Sequence, residues 1–316
     1  MSQRTIEGQL PATITRRRGA RRGSALGPDW KLGYALLLPI LVIMLGFIAF
    51  PFFYSVWLSL NSIRVGGAAK FIGLRNYYNL LFGVNHAELY NSFVVTLEYT
   101  FGAEILKFLI GMTTALILNG AIRARSFFRA MLFLPWAIPS VVSAYSWRWM
   151  FDDHLGILNN VLLHYGLISH PLLWLSSLNL ALWAVIAASV WQGAPFWTMT
   201  YLAGLQSIPQ EIYEAANIDG ASTVQKFFRI TLPNMKTVII VTFMLSTIWT
   251  ANGLQYVYIL TNGGPANATE TFPMMAYTLG MRSYNLGMGA AVPLLFFPLF
   301  AVLIYFLTRQ MLRETD

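Results

Sequence analysis

The chain has no cysteine, which excludes disulfides and Cys-ligated metal or redox centres. Charge is almost as scarce. Only 11% of the 316 residues are Asp, Glu, Lys or Arg, where a soluble domain carries roughly 25%. So little charge cannot cover a water-facing surface, and the 56% hydrophobic content needs a second apolar solvent, which is lipid. Acids are outnumbered, 13 to 21, for a net charge of +8. That excess does not point to nucleic acid, because the basic residues sit in gaps between apolar stretches and not along one surface. No G-x-x-x-x-G-K-[ST] occurs, so the chain has no phosphate-cradling loop of its own. Gly287-Met288-Gly289 lacks the third glycine and the preceding strand of a dinucleotide site. His86, His154, His164 and His170 have no metal-ligand spacing, and no Ser/His/Asp set stands out. No cofactor, metal or catalytic residue is therefore expected in this chain.

What is present is length without charge. Residues 32–63, 130–147, 155–210, 237–269 and 283–308 contain no Asp, Glu, Lys or Arg. A helix crosses the hydrocarbon core in about 20 apolar residues. The polar run at 175–179 leaves one span after it in the longest stretch. Another, over 90–119, tolerates Glu98, Glu104 and Lys107. The reading is all-α: an integral membrane protein with six helices near 32–60, 90–119, 129–151, 179–204, 236–258 and 285–308. The dyad alternation of a barrel wall is missing. Glu104 and Lys107 stand at i,i+3, where they can neutralise each other, and a structural pair facing protein is expected.

Lys and Arg set the orientation. The tail before the first span holds seven, loop 120–129 three, loop 205–236 three and the C-terminal end two. The opposite loops hold only Arg64, Lys70, Arg75 and Arg282. Both termini are expected on the cytoplasmic side, as an even number of spans requires. Residues 1–30 read as a basic, disordered cytoplasmic tail able to touch anionic membrane lipid. The transmembrane domain follows over 31–316. The first apolar run is too long for a cleavable signal.

The loop at 205–235 carries the most specific pattern. Ile208-Pro209-Gln210-Glu211 opens a helix, with proline near its first position and an acid in its first turn. The small pair Ala215-Ala216 lets another surface approach closely. Gly220 ends the helix, and Ala221-Ser222-Thr223 caps a second short one that stops before Pro233. A compact helix–turn–helix is expected, not a tether.

Glu214-Ala215-Ala216-x-x-Asp219-Gly220-Ala221, followed by Ile230-x-Leu232-Pro233, resembles the signature loop of membrane (permease) subunits of bacterial ABC importers. The resemblance implies the type I permease fold and a coupling helix that docks on a separate ATPase, which binds the ATP and Mg. Glu214 would bond that partner and Gly220 would supply the tight turn. Further partners implied are a second, non-identical permease subunit, two copies of the ATPase and an external solute-binding protein. The location implied is the bacterial inner membrane.

Other elements resemble the carbohydrate-uptake branch, and within it the larger membrane subunit of maltose transporters. These are Phe71-Ile72-Gly73-Leu74-Arg75-Asn76-Tyr77, Leu134-Pro135-Trp136-Ala137-Ile138-Pro139, Trp191-Gln192-Gly193-Ala194-Pro195-Phe196 and Thr261-Asn262-Gly263-Gly264-Pro265. Alignment on the last two motifs places Ser189, Trp191, Gly193, Phe196, Ser246 and Thr250 at sugar-contacting positions. Ser189 and Thr250 replace asparagines of the maltose subunit, which argues against maltose itself.

The chemistry agrees independently. A sugar needs aromatic faces beside neutral donors and acceptors. Trp191, Phe196, Trp197, Trp249 and Tyr256 supply faces, and Gln192, Asn252 and Gln255 supply hydrogen bonds. Gly193 and Pro195 are expected to unwind the helix and turn Trp191 and Phe196 toward one cavity, opposite the hydroxyls of Ser246 and Thr250. The reading is a sugar-conducting subunit working by alternating access, with no enzymatic activity of its own. Three rivals remain. An importer for an anionic solute such as glycerol phosphate would want a cation in the path, for which Lys107 and Arg148 are the only candidates, and one for a polyamine would want an acidic path, which is not seen. A membrane-embedded transferase would need a carboxylate pair, and only Asp152-Asp153 is adjacent. A secondary transporter has no role for the E-A-A loop.

Overall fold

A computed structural model describes residues 30–120 and 123–313, so the tail expected over 1–30 lies outside it apart from Trp30. The chain forms two compact units, Met1–Phe53 and Tyr54–Asp316. In the first, α1 (Trp30–Met44) runs through a π-turn at Leu45–Ala49 into the start of α2 (Phe50–Ser59), whose remainder belongs to the second. The large apolar side chains of the first unit, Leu36 and Phe47 among them, are exposed, as on a helix solvated by lipid.

The second unit departs once from the all-α expectation. After α2 the chain makes a hairpin of two-residue strands, β1 (Asn61–Ser62) and β2 (Lys70–Phe71), paired antiparallel. Asn76 holds it from α3 (Arg75–Phe82), donating to the Ser59 and Asn61 carbonyls at 2.8 and 3.0 Å. The centre of the unit is α4 (His86–Asn119) packed along α8 (Ala181–Gln206). Gly111 makes the close approach possible, because a Cβ there would stand 2.5 Å from Trp197 Cβ. Trp197 and Tyr201 are fully buried there, edge-on to Phe108.

The expected third span is two helices. α5 (Arg125–Ala137) and α6 (Ser140–Met150) meet at a bend of 91°. Pro139 explains it: the residue before a proline is pushed out of the helical region, and Ile138 is extended at φ −74, ψ 132. A short α7 (Ile157–His164) follows. After α8 the 205–235 loop forms α9 (Gln210–Ile218), α10 (Thr223–Lys226), a π-turn at Phe227–Thr231 and α11 (Leu232–Asn234). The expected stop before Pro233 is therefore not observed. The widened turn, in which the Leu232 N–H reaches back to the Phe227 carbonyl, carries the winding past the proline. α12 (Lys236–Ala251) and α13 (Gln255–Leu260) are separated around Gly253, and α14 (Phe272–Tyr277) and α15 (Leu286–Arg313) complete the described chain.

Among the described residues, three helical stretches can cross a membrane by length and composition, Gly33–Ser59, His86–Asn119 and Lys236–Leu260, or four if the bent α5–α6 pair counts as one. The fold is mostly helical with several membrane-competent helices.

Candidate functional site

The bend at Ile138, the break at Gly253 and the α4–α8 contact surround a cavity of about 360 Å³. α8 contributes Ser189, Gln192, Gly193 and Phe196, which share one helical face at i, i+3, i+4 and i+7. α12 contributes Ser246, Trp249 and Thr250, and Gly253, Gln255 and Tyr256 follow. α4 contributes Tyr99 and Lys107, and the bend contributes Trp136, Ile138 and Ser140.

Hydrogen bonds across sequence-distant elements fix this wall. Gln192 donates from Nε2 to the Ile138 carbonyl at 2.7 Å, using an acceptor that the bend frees. Its Oε1 accepts from the Tyr256 hydroxyl at 2.7 Å, and Ser143 Oγ pairs with the same hydroxyl at 2.7 Å. Lys107 Nζ lies 3.1 Å from Glu104 Oε1 and 2.7 Å from Thr250 Oγ1. The pair is buried, as expected, yet Lys107 is among the residues that line the cavity.

Several expectations need correction. Gly193 and Pro195 do not unwind α8, which is continuous from Ala181 to Gln206. Tight packing against α4 holds it: a Cβ at Gly193 would meet Lys107 Cε at 2.7 Å. Trp191 therefore does not turn toward Phe196. It is 39% exposed and packs edge-on against Trp147, outside the cavity lining. Trp197 is core, donating from Nε1 to Ser246 Oγ at 3.0 Å. Asn252 is exposed at the end of α12 and bonds the Ile248 carbonyl of its own helix. Ser246 and Thr250 line the cavity but are not a free hydroxyl wall, because both donate to Glu104 Oε1. Sequence reasoning left Lys107, Tyr99 and Trp136 out of the site. Ionisable groups inside an apolar span were the available signal for Lys107.

The second candidate region is the 205–235 loop. Gly220 takes φ +73, and the Ala221 and Gly220 N–H groups bond the Ala216 and Asn217 carbonyls, which is a Schellman stop. Ser222 caps α10 reciprocally with Gln225. Lys226 bonds Asn217 Oδ1 at 2.6 Å, and the Tyr213 hydroxyl meets Thr231 Oγ1 at 2.8 Å. The helix–turn–helix is therefore compact, as expected. Glu211, Glu214, Ala215 and Asp219 are exposed along it, Ala216 and Ala221 less so. Ile218 is 87% exposed, an apolar side chain with no cover.

Asp152 accepts backbone N–H bonds from Leu155 and His154, which hold its carboxyl below the usual carboxylate range. It shapes a turn at the end of α6, and the transferase reading loses its carboxylate pair. Arg148 is likewise engaged, with the Ile259 carbonyl at 3.0 Å.

Known proteins resemble this chain over most of its length. Over 85% of this chain and 90% of its own length, the trehalose/maltose transport system permease protein MalF of Thermococcus litoralis is 39% identical. The trehalose transport system permease protein SugA of Mycobacterium tuberculosis is 29% identical over 95% of this chain and 94% of its own. A bacterial ABC transporter solved for its part in importing the acidic polysaccharide alginate superposes with a TM-score of 0.76. It covers 91% of this chain and 97% of its own at 24% identity, which speaks to the fold. The family model described as "Binding-protein-dependent transport system inner membrane component" matches residues 107–314, and this chain belongs to that family.

Proposed function

We propose that the chain is one of two non-identical permease subunits of an ATP-driven importer for an uncharged sugar in the bacterial inner membrane. The observation that carries the sugar reading is the cavity wall. Phe196, Trp249 and Tyr256 offer aromatic faces beside the amides of Gln192 and Gln255. The relatives named for trehalose and maltose support it, and trehalose is the disaccharide to test first. Six spans follow from the apolar runs and cytoplasmic termini from the charge bias, with α5–α6 as one broken span. Two copies of a partner ATPase bind ATP and Mg and dock on Glu214, Ala215, Ala216, Asp219, Gly220 and Ala221. The uncovered Ile218 gives that contact an apolar anchor. An external solute-binding protein delivers the sugar. ATP-driven closure moves the coupling loop, and alternating access follows.

Deleting the chain in its host should abolish uptake of labelled trehalose, and restoring it should bring uptake back. Unchanged uptake after deletion overturns the reading. Topology can be tested on the native background, because the chain has no cysteine. A membrane-impermeant maleimide should label Val84→Cys from outside and Glu211→Cys only after permeabilisation. The reverse pattern overturns the orientation.

A further inference from the structure

The cavity wall on α4 is built on a buried charge pair whose bonding is lopsided. Lys107 Nζ reaches Glu104 Oε1 at 3.1 Å, Thr250 Oγ1 at 2.7 Å and Ser246 Oγ at 3.5 Å. Both hydroxyls donate back to the same Glu104 oxygen, at 2.7 and 3.0 Å. Three donors thus converge on Oε1, while Oε2 is buried with no hydrogen-bond partner. A pair serving only stability would satisfy both oxygens, because an unmet buried carboxylate oxygen is costly. Nor would it gain from placing its ammonium on a cavity. Lys107 does line the cavity, and it is the one charged side chain among the described residues that do. Glu104 sits fully buried behind it. Gly193 packs against the Lys107 stem, so the ammonium is held in place.

We propose that the Glu104–Lys107 pair is the selectivity element of the cavity, admitting uncharged polyhydroxyl solutes and refusing anionic ones. This deepens the sugar-import reading and rests on it. Thr250 Oγ1, whose proton goes to Glu104 and one lone pair to Lys107, keeps one acceptor site for a solute hydroxyl. Glu104 cancels the charge that would otherwise hold a phosphate or carboxylate in a low-dielectric site. An anionic solute meets an ammonium that is already neutralised, with a carboxylate directly behind it. A cationic solute meets the ammonium first.

The test uses the assembled importer containing the full chain, with trehalose and trehalose 6-phosphate as probes and intrinsic tryptophan fluorescence as the readout. The wild type should favour trehalose. Glu104→Gln keeps the shape and leaves Lys107 unopposed, and preference should move toward the phosphate by about tenfold or more. Glu104→Gln with Lys107→Gln, a neutral pair, should abolish that gain. Thr250→Val preserves both charges. It should weaken trehalose binding by about fivefold through one lost hydrogen bond and still refuse the phosphate. A pair with a purely structural role would lower both affinities together, so an unchanged ratio in Glu104→Gln overturns the inference and leaves sugar import standing. Phosphate binding by Thr250→Val at the strength of trehalose also overturns it. A wild-type complex that binds neither probe overturns the sugar reading and this inference together.

Discussion

The 205–235 loop and the cavity are held by hydrogen bonds of different reach. In the loop, Ser222 and Gln225 cap each other three residues apart, and Gly220 closes α9 through the Ala216 and Asn217 carbonyls. In the cavity, Lys107 meets Thr250 across 143 positions, and Gln192 meets Ile138 across 54. The loop is thus a local structure whose outer face is free to serve a partner. The cavity is a tertiary structure in which several elements share each polar group. A change in the loop should alter what it touches while the fold stands. A change in the cavity should alter fold and function together.

The largest expected effect breaks the loop alone. Gly220 has φ +73, a region that costs a side chain about 1–2 kcal/mol, and it stands beside the exposed acids of α9. Gly220→Trp and Glu214→Lys should each abolish sugar uptake while the chain stays in the membrane at wild-type level. Uptake assays with co-purification of the ATPase check this. Normal transport by either variant would remove the loop from the coupling path.

Next comes the charge pair. Lys107→Met leaves Glu104 buried and unpaired, which should destabilise by about 3–5 kcal/mol. Combining it with Glu104→Gln should recover most of that, because no lone charge is left. Thermal unfolding of the purified complex measures both. Equal losses in the single and double variants would mean that the pair is not the coupled unit described. Smaller again is Gly111→Ala. The added methyl meets Trp197 Cβ at 2.5 Å and pushes α4 from α8, at about 1–3 kcal/mol, readable in the same melt.

The contrast also explains what could be read from the sequence. The capping box, the glycine stop and the apolar spans are short-range or compositional, so α9, α10, α4 and α8 were legible. The π-turn before Pro233 was not, because nothing local favours a widened turn over a stop. The α5–α6 bend was written in Ile138-Pro139, yet its angle depends on what packs around it. Ser189, Gly193 and Phe196 came to the site by family resemblance and Gln192 by its chemistry; their common face exists only because α8 is continuous. The fate of Pro195 was not legible: whether an interior proline unwinds a helix is decided by its neighbours, here α4 pressed on Gly193. That one judgement placed Trp191 on the wrong side.

The smallest expected effect comes from Trp191 and tests that correction. Were α8 unwound at Gly193, Trp191 would face Phe196 across the cavity, and truncation would remove stacking worth about 1–3 kcal/mol. In the continuous helix Trp191 points to Trp147, with ring centroids 5.8 Å apart, and lies outside the lining. Trp191→Ala should therefore lower labelled trehalose uptake by less than about threefold, at a packing cost near the low end for a half-exposed aromatic pair. Gln192→Leu, one residue on, removes both the bond to the Ile138 carbonyl and the acceptor for Tyr256. It should cost about tenfold or more, because the part-buried Ile138 carbonyl loses its donor and the Tyr256 hydroxyl is left with Ser143 alone. Uptake of the two variants at matched membrane levels decides the matter. If Trp191→Ala is the more damaging, α8 opens at Gly193 during transport, and the cavity gains an aromatic wall that the continuous helix hides.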